Sequence, residues 1–138
     1  MKNIPLISSI MSTKIITLKK DDELETAERL FKRHKIRHIP VVEGESIIGM
    51  LSYTDLLRIS FVDAVDDDGE IESLVYNMFT IEQVMAKNVV SVPSTANIKE
   101  VAEILAKKEF HALPVVDDDV LVGIVTTTDL INFLIMRL

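Results

Sequence analysis

The stretch Ile48-Gly49-Met50-Leu51-Ser52-Tyr53-Thr54-Asp55-Leu56 returns 74 residues later as Val122-Gly123-Ile124-Val125-Thr126-Thr127-Thr128-Asp129-Leu130. The same shift lays Ile39-Pro40-Val41-Val42 on Leu113-Pro114-Val115-Val116. It also lays Ile15-Ile16-Thr17-Leu18 on Val89-Val90-Ser91-Val92, and Ile10-Met11 on Val84-Met85. A single ungapped offset of this extent marks an internal duplication, and the repeat decides the fold.

Each copy reads strand, helix, strand, strand, helix. The β-branched runs Ile15-Ile16-Thr17-Leu18 and Val89-Val90-Ser91-Val92 predict a first strand. Apolar residues then recur at helical spacing: Leu24, Ala27, Leu30 and Phe31, matched by Ile98, Val101, Ala102 and Leu105. Asp22 with Glu25, and Asn97 with Glu100, predict capping boxes at the start of these helices. Pro40 and Pro114 forbid helix and push the chain into extended geometry. Glu43-Gly44-Glu45 and Asp117-Asp118-Asp119 predict polar hairpin turns, the Asp triplet as a solvated tip. A closing helix is expected from about Tyr53 to Phe61 and from Thr127 to the C-terminus.

A unit of such size buries too little surface to be comfortably stable alone. The expected fold is therefore α/β (α+β): two β-α-β-β-α repeats, residues 8–61 and 81–138, packed face to face about a pseudo-two-fold axis. The linker at 62–80 is acidic at Asp66-Asp67-Asp68-Gly69-Glu70 and apolar near Leu74, Tyr76 and Phe79. It reads as a solvated loop. An EF-hand with Gly69 at its sixth position would begin at Ala64, which is no calcium ligand.

Composition narrows the function. The chain has 138 residues, no Cys and a formal net charge of −7. Without Cys there is no disulfide framework, no zinc site of Cys type and no thiol catalysis. No apolar run is long enough for a membrane-spanning helix, and no signal-peptide pattern opens the chain, so a cytoplasmic protein is expected. Most of the acidity lies in the linker, since residues 61–80 carry six acids and no Lys or Arg. An acidic chain is not expected to bind nucleic acid, which needs a Lys/Arg surface.

The repeated element is Gly-apolar-apolar-Ser/Thr-x-x-Asp: Gly49, Ser52, Asp55 and Gly123, Thr126, Asp129. It has two readings. As structure, Ser/Thr-x-x-Asp is a capping box and a strand glycine marks a bulge. As a site, glycine lets a ligand approach the backbone, and a hydroxyl and a carboxylate stand at a helix N-terminus. Asp suits two vicinal hydroxyls, hence a ribose. A second element is basic: Lys32, Arg33, His34, Lys35, Arg37 and His38 before Pro40, with Lys107, Lys108 and His111 before Pro114. Part of it complements helix C-terminal dipoles. Arg37 and His111 share one repeat position, three before the proline, where Arg suits a phosphate and His can donate to it. His34 and His38 stand four apart, but Pro40 implies extended chain at His38, so no metal site is expected. No nucleophile elbow, P-loop, dinucleotide fingerprint or His-Glu-x-x-His occurs, and an enzyme is not expected.

At these residues the sequence resembles the cystathionine β-synthase (CBS) domain family, in both halves, as a tandem pair or Bateman module. The resemblance implies a pseudo-symmetric α/β unit with two clefts for adenosine-containing ligands. It implies that Asp55 and Asp129, assisted by Ser52 and Thr126, bind ribose. Arg37, His38 and His111 would meet phosphate. Ile15, Ile16, Thr17, Val89, Val90 and Ser91, with Pro40, Pro114, Gly49 and Gly123, would line the base. The expected function is a non-catalytic sensor needing no cofactor, in which AMP, ADP or ATP acts as regulatory ligand and a regulated protein is the partner. S-adenosylmethionine is the alternative ligand, and a ligand-free scaffold the alternative class.

The final helix adds a partner expectation. Leu130, Ile131, Phe133, Leu134, Ile135, Met136 and Leu138 are apolar on nearly all sides, and Leu56, Leu57, Ile59 and Phe61 repeat the excess. A surface helix needs one apolar stripe, so the surplus predicts a homodimer through these helices.

Overall fold

The computed structural model describes residues 3–63, 78–108 and 110–138. The acidic run Asp66-Asp67-Asp68-Gly69-Glu70, Leu74 and Tyr76 lie outside the described residues, as does the side chain of Phe61. The architecture is mixed α/β with two sheets and helices.

The chain forms two compact units, and they are not its two sequential halves. One is Ile16–Val89, here the first unit. The second unit is Val90–Leu138 together with the N-terminal segment that ends at Ile15. The segments that change places are equivalent at the 74-residue offset. In the second unit a 3₁₀ turn, Ile7–Ser9, buries Ile7, and Ser12 bridges Ile124 by two backbone hydrogen bonds of 2.8 and 3.0 Å. In the first unit a short helix, α3 (Ile81–Val84), buries Ile81, and Ala86 bridges Met50 at 2.9 and 3.0 Å.

The first unit holds β1 (Leu18–Lys19), α1 (Leu24–His34), β2 (His38–Glu43), β3 (Ser46–Ser52), α2 (Tyr53–Asp63) and α3. Its sheet order is β1-β2-β3, parallel then antiparallel. The second unit holds α4 (Ile98–Lys108), β4 (Ala112–Asp117), β5 (Val120–Thr126) and α5 (Thr127–Arg137). Here Val92 takes the place of β1 as a single parallel bridge to Val115. Helix α1 buries Leu24, Ala27 and Phe31, and α4 buries Ile98, Val101 and Leu105. These i, i+3, i+7 stripes close the cores against Ile39, Val41 and Leu51, or Leu113, Val115 and Val125.

Three expectations need correction. The Asp22/Glu25 capping box does not form. Glu23 is the N-cap without a side-chain bond, and the Asp22 carboxylate accepts from Lys19 N at 2.8 Å, closing the turn after β1. The buried Leu24 begins the helix, which puts Asp22 one residue too early to cap it. Asn97 does cap α4: its Oδ1 accepts from Glu100 N at 2.9 Å, while Glu100 Oε1 accepts from the Asn97 amide rather than its backbone. The Asp triplet is not uniformly solvated. Asp118 and Asp119 turn the hairpin at φ 48° and 64° and are exposed, but Asp117 accepts from both N and Oγ of Ser94, at 2.9 and 2.5 Å.

The third correction concerns the first strand, and its cause is the proline. Only Leu18–Lys19 and Val92 pair with the central strand. Val92 N donates to Pro114 O at 3.1 Å and Val116 N to Val92 O at 2.8 Å. The next rung toward the N-terminus would run from the N–H of position 114 to the Val90 carbonyl, and proline has no N–H. Pro40 and Ile16 stand in the same relation beside the Leu18–Val41 pair. That rung is missing, and among the described residues positions 15–17 and 89–91 make no backbone hydrogen bond.

Candidate functional site

Strand direction gathers the candidate residues at one end of each sheet. β2 starts at His38 and β3 ends opposite it at Ser52. β1 runs parallel to β2, so the unpaired residues before it lie at that same end. Tyr53 N donates to Arg37 O at 2.8 Å, tying the basic segment to the first residue of α2. In the second unit Ala112 stands opposite Thr126, and Thr127 N donates to His111 O at 3.0 Å. Thus Arg37 and His111, different in type but equivalent at the 74-residue offset, sit beside the helix that carries Asp55 or Asp129.

Both helices are closed by reciprocal caps. Ser52 N donates to Asp55 Oδ2 at 3.3 Å and Asp55 N to Ser52 Oγ at 3.0 Å. Thr126 N donates to Asp129 Oδ2 at 2.9 Å and Asp129 N to Thr126 Oγ1 at 3.1 Å. The cap uses one carboxylate oxygen. Among the described residues Asp129 Oδ1 has no protein partner, while Asp55 Oδ1 lies 3.8 Å from the Arg58 guanidinium. Both carboxylates are half-buried at a helix N-terminus. Capping and an acceptor for further hydroxyl groups are therefore compatible in one side chain.

The predicted base-lining residues divide into two kinds. Ile15, Ile16, Val89 and Val90 are half-buried, and Thr17 and Ser91 are exposed. Among the described residues none of these six makes a backbone hydrogen bond. Main-chain donors and acceptors seldom stay unpaired except toward water or a ligand. Pro40 and Pro114 are buried, and each lacks the N–H that would pair the carbonyl of Ile16 or Val90.

Gly49 and Gly123 have a packing reason for lacking a side chain. A Cβ on Gly123 would lie 2.6 Å from Met11 Sδ, and a Cβ on Gly49 would overlap Met85 Sδ. Each glycine also follows the extra residue of a bulge, Ile48 or Val122. The methionines are repeat-equivalent, yet their offset alignment does not announce this contact. Arg37 and His111 are exposed, and His38 is half-buried. His34 and His38 fall on different elements, separated by the left-handed Lys35 at φ 53°. Arg58 is the residue that the sequence reading passes over. Its signal is the i, i+3 spacing from Asp55.

One further hollow, lined by Lys20, Asp21, Asp22, Glu23, Glu25, Phe79 and Thr80, lies at the start of α1 and shares none of these residues. With four carboxylates against one lysine it repels anions. No helix among the described residues is long and apolar enough to cross a membrane.

The fold and the repeated cap define a tandem α/β domain pair, and comparison with known proteins names the family. The CBS domain profile matches twice, at residues 7–62 and 81–136, and the chain belongs to the CBS domain family as a tandem pair. It is 30% identical over 125 residues to the CBS domain-containing protein YhcV of Bacillus subtilis, covering 90% of this chain and 81% of that one. Among solved structures it superposes on AcuB of Vibrio cholerae, provisionally named for acetoin utilization, with TM-score 0.82, 30% identity and coverage of 98% and 93%. It matches the CBS domain pair of protein MJ0100, solved in complex with 5′-methylthioadenosine and S-adenosyl-L-methionine, with TM-score 0.81, 26% identity and coverage of 99% and 100%. Other curated relatives are longer: the chain spans 43% of one and 23% of another.

Proposed function

We propose that this CBS pair is a non-catalytic regulatory module that binds an adenosine-containing ligand at the sheet ends carrying Asp55 and Asp129 and passes its occupancy to a partner protein. One observation carries the reading. In each unit, a capped carboxylate with acceptor capacity left over and a stretch of unpaired backbone lie at the same end of the sheet. The carboxylate suits the vicinal hydroxyls of ribose. The unpaired amides and carbonyls of Ile16 and Thr17, or Val90 and Ser91, suit the hydrogen-bonding edge of adenine. Arg37, His38 and His111 stand where a 5′ substituent would emerge. The adenosyl ligands of the MJ0100 pair, 26% identical, support the class of ligand. They also make S-adenosylmethionine or methylthioadenosine a specific alternative to AMP, ADP or ATP.

A thermal-shift and calorimetric panel of AMP, ADP, ATP, 5′-methylthioadenosine and S-adenosylmethionine tests this. A ligand present at 100 times its Kd is expected to add about 2.7 kcal/mol of stability. Asp55→Ala with Asp129→Ala is expected to abolish that gain at a cost of roughly 0.5–2 kcal/mol per lost cap. If no adenosyl ligand raises the melting temperature of the unmodified chain, the caps are structural and the pair is a scaffold.

A further inference from the structure

The two sheet ends share a cap but differ in charge, and the differences cluster around the carboxylates. At the 74-residue offset, Arg37 becomes His111, His38 becomes Ala112 and Arg58 becomes Asn132. Across the seven residues 32–38 the formal charge is +4, from Lys32, Arg33, Lys35 and Arg37. Across 106–112 it is +1, from Lys107, Lys108 and Glu109. Two of these positions are held close to the cap. Arg37 is bonded through its carbonyl to Tyr53 N, and Arg58 reaches to 3.8 Å from Asp55 Oδ1. In the second unit the matching carbonyl belongs to His111, and among the described residues no ion pair reaches Asp129.

Resting on the adenosine reading, we propose that the two sites sort ligands by charge. The first unit takes a phosphorylated adenosine, and the second takes an adenosyl ligand whose 5′ group carries no negative charge. Both guanidiniums matter for the first. Without a ligand, Arg58 is the counter-ion of Asp55. A ribose hydroxyl arriving at Asp55 competes with this weak, long contact, and Arg58 is then free to swing toward a phosphate. Arg is suited to that role, because its planar fork can meet two phosphate oxygens at once. In the second unit, Asp129 Oδ1 faces a ribose with no displacement to make, but a phosphate would find one imidazole and no guanidinium. The repeat thus keeps the nucleoside-binding half of the site twice and varies the half that reads the 5′ group.

The test uses AMP and 5′-methylthioadenosine, which differ only in that 5′ group, titrated into the full chain by calorimetry. Arg37→His with Arg58→Asn gives the first unit the residues of the second. Both side chains are exposed, so folding is preserved, and circular dichroism checks this. AMP affinity is expected to fall by roughly tenfold or more, with methylthioadenosine affinity within about twofold of the unmodified chain. The reciprocal variant, His111→Arg with Asn132→Arg, is expected to raise AMP stoichiometry from one to two per chain. If AMP affinity is unmoved by the first variant, or both ligands weaken together, charge sorting is overturned while adenosyl binding stands. If neither ligand binds the unmodified chain, both proposals fall.

Discussion

Asp117 and Ser94 show how a single side chain departs from what its neighbours suggest. Asp117 opens a run of three acids at a hairpin, yet its carboxylate takes two hydrogen bonds from Ser94, one from the hydroxyl and one from the backbone N–H. Those donors stabilise the charged form and hold the carboxyl below its ordinary value of 3.8. A folded-state pKa below the unfolded one contributes stability above the unfolded value, and that contribution is lost as pH falls through the folded value. Asp117→Asn is therefore expected to lower the denaturant midpoint near neutral pH. Its deficit should shrink as pH falls below 3.8. Equal deficits at about pH 7 and about pH 3 would show that the Ser94 bonds do not depend on charge. At the same scale, Ser52 and Thr126 were legible as caps because the box depends only on spacing along the chain. The Ser94 bond, 23 residues from Asp117, was not.

At the scale of elements, the prolines decide more than their own conformation. β-branched residues at 15–18 and 89–92 predict strands of four, but a strand needs partners as well as propensity. Pro40 and Pro114 withhold the N–H that the next rung requires, and the strands shrink to Leu18–Lys19 and Val92. This is why the carbonyls of residues 16 and 90 lack a strand partner. Pro114→Ala restores an N–H at that rung. The new amide is expected to donate to the Val90 carbonyl, to exchange slowly with solvent, and to weaken adenosyl binding in the second unit by competing for that carbonyl. An amide at 114 that exchanges as fast as an exposed one would refute the account. The helices were easier to read. Their apolar stripes belong to local sequence and need no distant partner.

For the whole molecule, the excess apolar surface of α5 has a consequence. None of its residues is buried; Leu134 is 60% exposed and Met136 85%. Leaving such side chains in water costs roughly 25 cal/mol for each Å² that a partner could cover. A second copy, pairing through α5 and α2, is the occupant that the sequence reading expects. Light scattering at micromolar concentration is expected to give about 31 kDa, twice the 15.5 kDa of one chain. Leu134→Lys with Met136→Lys is expected to halve that mass without loss of helix content. A 15.5 kDa species from the unmodified chain would overturn the expected dimer.

The duplication, the fold class and the Ser52–Asp55 and Thr126–Asp129 caps were determined by sequence alone. All rest on short-range spacing, and each appears twice at one offset. Tertiary structure decided what joins distant segments. The chain exchanges its leading segments, so that Ile7 and Met11 complete the unit of residues 90–138 and Ile81 and Met85 complete the other. Gly49 and Gly123 are bare because those methionines occupy the space a Cβ would need. The reason is physical: a cap or a helix stripe is settled within one or two turns of chain. Which segment fills a glycine's empty side, or which carbonyl a proline leaves unpaired, depends on partners that only folding brings together.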